Sequence, residues 1–101
     1  MRGSPSRRLE LGALVRVRIP AKDWTALSEF VSSQHPLPHG IEKSVHTAER
    51  DGAAHIVAFQ SADSVRCLIE CIIAYARSWD VPWAVSLNRI LPRLYQSIDA
   101  R

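Results

Sequence analysis

The chain has 101 residues, 47% of them hydrophobic, a length and composition that suit one folded domain and exclude a disordered chain. No apolar run approaches the roughly 20 residues that a membrane-spanning helix needs, and the opening stretch MRGSPSRRLELG lacks the apolar core of a signal peptide. We therefore expect a cytoplasmic protein with no membrane partner, whose two cysteines stay reduced.

The basic charge is concentrated at the N-terminus. Thirteen basic residues stand against ten acidic ones, and Arg2, Arg7 and Arg8 account for the net charge of +3. We expect a flexible basic tail over residues 1–10 and a single α+β domain over residues 11–101. The MRGS start also resembles vector-derived sequence. Because the rest of the chain is neutral overall, a broad nucleic-acid-binding surface is not favoured.

The first predicted elements are a strand and a helix. Residues 11–19 alternate between apolar and polar side chains over their second half, which predicts a strand that Pro20 ends. Its expected buried face is Ala13, Val15, Val17 and Ile19. Residues 21–33 carry an apolar stripe at helical spacing, namely Trp24, Leu27, Phe30 and Val31. Residues 34–40 contain two prolines and a glycine and predict a loop.

Residues 41–60 carry the clearest hairpin signal, because Asp51-Gly52 is typical of a two-residue type I′ turn. With that dipeptide as the loop, Arg50 pairs with Ala53 and His46 pairs with Val57. The more uniformly apolar face is assigned to the helices, and it carries Ile41, Val45, Thr47, Ala54, Ile56 and Ala58. The other face is half apolar and carries Ser44, His46, Ala48, Arg50, His55, Val57 and Phe59.

The longest clean helical period runs from Ser61 to Trp79, with Ser61 as the expected N-cap and Pro82 beyond the end. Its apolar face is Val65, Leu68, Ile69, Ile72, Tyr75, Ala76 and Trp79. Residues 81–98 leave two interpretations open. Either Trp83 to Leu87 forms a fourth strand before a last helix, or two short helices meet at Pro92, because proline disrupts a helix interior.

The predicted order of elements is β-α-β-β-α-(β or α)-α. With a right-handed crossover, which makes the first strand parallel to a neighbour, this order is typical of an α+β, two-layer, ferredoxin-like (split βαβ) sandwich. We expect a small antiparallel or mixed sheet with the two main helices on one face. A fold of this kind hosts many functions, so it selects none of them.

Residues that could carry chemistry are few. His35 and His39 flank prolines that forbid the helical spacing a metal pair would use, and no third ligand is near in sequence. Cys67 and Cys71 lie one helical turn apart, a geometry that does not favour a disulfide, and no nearby base activates either thiol. We expect no catalytic residue, no metal and no cofactor, and a protein that is not an enzyme.

The surplus apolar surface instead predicts a partner, because exposed apolar patches mark interaction sites. We expect a small non-catalytic interaction or regulatory module that self-associates as a homodimer through a sheet face and binds a further, unidentified protein. The candidate interaction face is Arg16, Arg18, His46, His55, Val57 and Phe59. This dimer is expected to weaken below about pH 6, as His46 and His55 become charged.

The alternative is a nucleic-acid-binding protein. Its candidate contacts combine the basic tail with arginines of the predicted sheet, namely Arg2, Arg7, Arg8, Arg16, Arg18 and Arg50. The neutral balance of the rest of the chain argues against this function.

Overall fold

The structure, a computed structural model, describes residues 14–34, 37–38 and 40–99. In this part of the chain an open, three-stranded antiparallel sheet and four helices form an α+β fold. The elements in chain order are β1 (Val15–Pro20), α1 (Ala21–Ser33), α2 (Ile41–His46), β2 (Glu49–Asp51), β3 (Ala54–Phe59), α3 (Ala62–Tyr75) and α4 (Ala84–Asp99). Some predictions fall on residues outside those described: the basic tail with Arg2, Arg7 and Arg8, the first three residues of the predicted strand with Ala13, and the histidines His35 and His39.

Strand β1 and helix α1 confirm the first two predicted elements. The apolar side chains of β1 are buried and alternate with the exposed Arg16 and Arg18, as a strand with one buried face requires. Helix α1 has the predicted bounds and buries Leu27 together with Phe30 and Val31, which follow it by three and four residues. Local periodicity is sufficient here because each pattern has only one compatible secondary structure.

The predicted strand over the first part of residues 41–60 is wrong. Residues 41–46 form the short helix α2, which buries Ile41, Ser44 and Val45. Those positions are three and four apart, so they also fit a helical period, and six residues are too few to separate the two patterns. Helix α2 packs against α1 and β3, and this packing favours the helical alternative.

The hairpin exists, but its loop lies one residue later in the chain than predicted, so each residue of β2 pairs with a residue two positions further along β3. Asp51 pairs with Ala54 and Arg50 pairs with His55, so Gly52-Ala53 is the loop. Gly52 has a φ of 63°, as expected, whereas Trp83 is the only non-glycine with positive φ among the described residues. Positive φ at the first central position alone belongs to a type II′ turn, and the type I′ prediction is therefore wrong.

The face assigned to the helices is also wrong. On β3 the core side carries Val57 and Phe59, both fully buried, while Ile56 and Ala58 on the opposite face are only half-buried. The cross-strand partners explain this outcome, because Val17 lies opposite Val57 and Val15 lies opposite Phe59. Directly opposed residues share a face, so the buried side of β1 determines the buried side of β3.

The ferredoxin-like arrangement is not confirmed. The strand order is β1-β3-β2, and β3 runs antiparallel to both neighbours, so the expected parallel neighbour of β1 is missing from the described sheet. The fourth strand predicted at Trp83 to Leu87 instead falls in a turn and in the beginning of α4.

Helix α4 runs through Pro92 without a break, so neither interpretation of the C-terminal segment is right. Proline inside a helix costs about 3 kcal/mol. That cost is offset because Leu87, Ile90 and Leu94 are fully buried, at roughly 1.5–3 kcal/mol each.

Helix α3 supplies much of the core. Ser61 is its N-cap, as predicted, and its side chain accepts a hydrogen bond from the Ser64 backbone N–H at 3.3 Å. The helix ends at Tyr75, before the predicted end at Trp79, and Trp79 is 63% exposed. Ile72 is fully buried at the predicted inward position. Within the described residues, no helix has the length and apolarity to cross a membrane.

Candidate interaction surfaces

The structure does not gather the six residues of the predicted interaction face on one surface. Arg16 and Arg18 are exposed on the face of the sheet that carries Ile56 and Ala58. Val57 and Phe59 lie on the opposite face, fully buried by the chain's own helices. His46 belongs to α2 and is outside the sheet altogether. The apolar surface that suggested a sheet-face dimer is thus already part of the core.

The two histidines are separated and each has an intramolecular neighbour. His46 Nε2 lies 3.0 Å from Ser32 Oγ and connects α2 to α1. The His55 ring stacks on Trp24, with ring centroids 4.7 Å apart, and its buried Nδ1 has no hydrogen-bond partner. The two rings lie in different parts of the molecule and not together on one sheet face. The predicted weakening of a sheet-face dimer by histidine charging therefore has no structural support.

The arginines proposed for nucleic-acid binding are also divided. Arg18 forms an ion pair with Asp51 across the sheet. Arg50 lies opposite His55, on the other face from Arg18, and its Nε donates to the Gly52 carbonyl at 3.1 Å. The described candidates therefore do not form a continuous basic surface.

An apolar groove, defined here by Ile69, Ile73, Tyr95 and Ile98, runs between helices α3 and α4. Its volume is about 300 Å³, and charged residues at its rim are Arg66, Glu70 and Asp99. Ile73 is 41% exposed and Tyr95 is 42% exposed, whereas Ile69 at the base is almost fully buried. The groove is therefore a strip of large apolar side chains that is buried at its base and exposed at its surface.

An arginine cleft, defined here by Arg16, Arg18, Arg93, Gln96 and Ser97, lies where the edge strand β1 meets the C-terminal half of α4. Val17 completes its lining, and its volume is about 260 Å³. Three arginines and no acidic residue line this cleft. The sequence patterns did not predict it, because Arg93 is far from Arg16 in the chain and only the packing of α4 against β1 brings them together.

A buried ion pair between α1 and α4 was also not predicted from the sequence. The Asp23 side chain is 1% exposed and accepts hydrogen bonds from Arg89 Nε at 3.0 Å and from its terminal nitrogen at 2.6 Å. This hydrogen bonding raises the pKa of Arg89. One signal was available: Asp23 precedes Leu27 and Phe30 at helical spacing, so a carboxylate lies in line with the buried stripe of α1.

Trp83 has an unusual backbone conformation just before α4. Its φ is 67°, a region that bulky side chains rarely adopt. Three contacts hold it there: its ring stacks on Tyr75, its Nε1 donates to Glu29 at 3.1 Å, and its carbonyl accepts from Leu87 N at 2.8 Å. The side chain is half-buried in these contacts, so Trp83 connects three helices rather than offering a free surface.

The two cysteines are free thiols on α3, and both are half-buried. Burial raises the pKa of the Cys71 thiol, and the neighbouring Cys67 raises it further. A raised pKa lowers the thiolate fraction, and the thiolate is the reactive form. In the described part of the chain, no group of three or more histidine, cysteine or acidic side chains could hold a metal ion.

No protein-family model, curated protein or solved structure matches this chain. Inference about function therefore depends on the surfaces themselves.

Proposed function

We propose that this protein is a small non-catalytic interaction module that forms a homodimer through the apolar groove. The observation that supports this proposal is the exposure of Ile73 and Tyr95, 41% and 42%, beside a core that the chain's own helices already fill. Large apolar side chains exposed side by side mark interaction surfaces more often than scattered ones do. The proposed dimer contact therefore lies on helices α3 and α4 and not on the sheet face.

The charges at the rim favour a second copy as the occupant. Arg66 on α3 and Asp99 on α4 lie on opposite walls of the groove. In a twofold dimer the same patch meets itself, and when the twofold axis runs along the groove a residue on one wall faces a residue on the other wall of the second copy. Arg66 of each copy would then lie opposite Asp99 of the other, and its exposed guanidinium would be shared between that carboxylate and Asp63 of its own chain.

We expect the double variant Ile73→Glu/Tyr95→Glu to be monomeric where the original protein is a dimer, because two carboxylates in the groove would be buried unpaired at the interface. Sedimentation velocity over a concentration series measures this. Val85→Glu is the matched control, since Val85 is 59% exposed on α4 but does not line the groove. A monomer at high micromolar concentration without any substitution would overturn the proposal.

The rim contact has its own test by charge reversal. Arg66→Glu alone and Asp99→Arg alone should each weaken the dimer, and the two together should restore it, because the attraction is re-formed with opposite signs. Equal weakening in the singles and the double would place the contact elsewhere. Circular dichroism checks that each variant is folded.

Nucleic-acid binding stays the weaker proposal. Among the described arginines, Arg18, Arg66 and Arg89 are already paired with carboxylates of the same chain. Each pair reduces the charge available to phosphates, on which non-specific affinity depends. Retention on heparin that survives replacement of Arg2, Arg7 and Arg8 by glutamine would favour this function over the dimer.

A further inference from the structure

We propose that the arginine cleft binds a phosphate group. This inference is independent of the homodimer, because the cleft and the apolar groove share no lining residue.

The cleft is built from two elements that are distant in sequence. Arg16 and Arg18 are two residues apart on β1, so both side chains leave the strand on the same face. Helix α4 packs against β1 and contributes Arg93, with Gln96 and Ser97 about one helical turn further on. Strand β1 is an edge strand of the described sheet, so no further strand covers this edge beside helix α4.

Two of the three cleft arginines have no charged partner among the described residues. Arg18 has Asp51 as its partner, but Arg16 and Arg93 form no ion pair or hydrogen bond in the described structure. Arg66 and Arg89, by contrast, each have a carboxylate partner. Like charges held around one cavity repel each other, and a bound anion would relieve that repulsion.

The chemistry of the lining favours phosphate over a carboxylate. A guanidinium donates two parallel hydrogen bonds to two oxygens of one anion, and several guanidiniums together suit an anion with more than one charge. Gln96 adds a neutral donor, whereas the Ser97 hydroxyl already donates to the Leu94 carbonyl at 2.7 Å and offers a lone pair. A phosphate group with one protonated oxygen could use both.

Two further properties limit the ligand. The volume of about 260 Å³ lies just below the ~300–1,000 Å³ usual for drug-sized ligands, which favours one phosphate group over an entire cofactor. Gln96 and Ser97 lie in the last turn of α4, whose negative dipole end opposes an anion. The attraction must therefore come from the arginines, and binding should weaken as salt is added.

Thermal unfolding in inorganic phosphate, compared with chloride at equal ionic strength, tests the site. Phosphate should raise Tm, because a ligand that binds only the folded state stabilises it. Arg16→Gln/Arg93→Gln should weaken binding by about tenfold or more, the effect expected from losing charge-assisted hydrogen bonds. The matched control Lys43→Gln/Arg77→Gln removes two positive charges outside the cleft and should keep the shift.

A second measurement does not depend on the variants. In the original protein, phosphate titrated into a ¹⁵N-labelled sample should shift amide resonances of β1 and of the C-terminal half of α4. No Tm rise over chloride, equal loss in both double variants, or shifts confined to other regions would each overturn the proposal.

The phosphate could belong to a small molecule or to a nucleic-acid backbone, and a competition experiment separates these sources. If a mononucleotide displaces phosphate and a single-stranded oligonucleotide does not, the ligand is a small phosphate ester. If the oligonucleotide binds more tightly and with a steeper salt dependence, the ligand is a backbone phosphodiester. Failure of both ligands to compete with phosphate at the cleft would count against the site.

Discussion

Asp23 illustrates how one side chain can couple two helices that are distant in sequence. Its carboxylate is 1% exposed, and Arg89, which is 45% exposed, is the donor from α4. A buried charge is tolerated only when it is paired and hydrogen-bonded, and the two-point geometry of the guanidinium meets that condition. The pair therefore specifies how α1 and α4 align.

We expect Asp23→Asn to lower Tm by on the order of 4–8 °C or more, which corresponds to ~1 kcal/mol in a domain of this size. The reason is that the pair loses its charge and one acceptor in a buried position. Asp63→Asn is the matched control, because Asp63 pairs with Arg66 while 75% exposed, and exposed pairs contribute little. Equal Tm changes in the two variants would contradict the role assigned to Asp23.

The hairpin turn requires positive φ at Gly52 but not at the neighbouring Ala53. Gly52 has positive φ, and a Cβ added there would meet no atom within 4 Å, so only backbone strain opposes a larger side chain. Ala53 is exposed and has negative φ.

Gly52→Val should therefore lower stability by roughly 1–3 kcal/mol, because a β-branched residue is strained at positive φ. Ala53→Val should cost much less. Urea unfolding of both variants makes the comparison. A type I′ turn would need positive φ at both positions, so similar losses in the two variants would favour that turn instead.

At the scale of elements, helix α3 shows how burial distinguishes adjacent residues of the same type. Ile72 is fully buried, and Ile73 is 41% exposed in the apolar groove. The helical period places them about 100° apart around the axis, so one faces the core and the other faces solvent or a partner.

We expect Ile72→Ala to cost ~2–5 kcal/mol, the usual cost of truncating a buried aliphatic side chain. Ile73→Ala should cost far less when unfolding is measured at low protein concentration, where self-association does not contribute. If the two losses were equal, the inward face assigned to α3 would be wrong.

The elements that could be predicted are those whose apolar pattern fits only one type of secondary structure. Residues 21–33 and the face of α3 around Ile72 repeat their apolar positions long enough to define a period. Helix α2 could not be identified in the same way, because Ile41 and Val45 satisfy a helix and an alternating strand equally over so few residues. The one-residue shift of the hairpin loop has a similar origin, since Gly52 can be the first or the second residue of a two-residue loop.

At the scale of the whole molecule, the candidate surfaces were the least predictable feature. The predicted interaction face depended on which side of β3 is buried, and pairing with β1 determines that side. The apolar groove and the arginine cleft both require α4, whose path next to α3 and β1 cannot be inferred from its own sequence. Surfaces are assembled from several elements, so an error in one register or one packing direction changes them entirely.

The amino-acid sequence alone determined the α+β class, the bounds of α1, the N-cap of α3 and the inward sides of β1 and α3. These features depend on interactions within a few residues, where hydrophobic period and capping chemistry are decisive. Tertiary structure alone decided the helical state of residues 41–46, the buried side of β3, the Asp23–Arg89 pair and the meeting of Arg16 with Arg93. Each of these depends on contacts between distant parts of the chain. A local sequence pattern gives no information about the energies of such contacts.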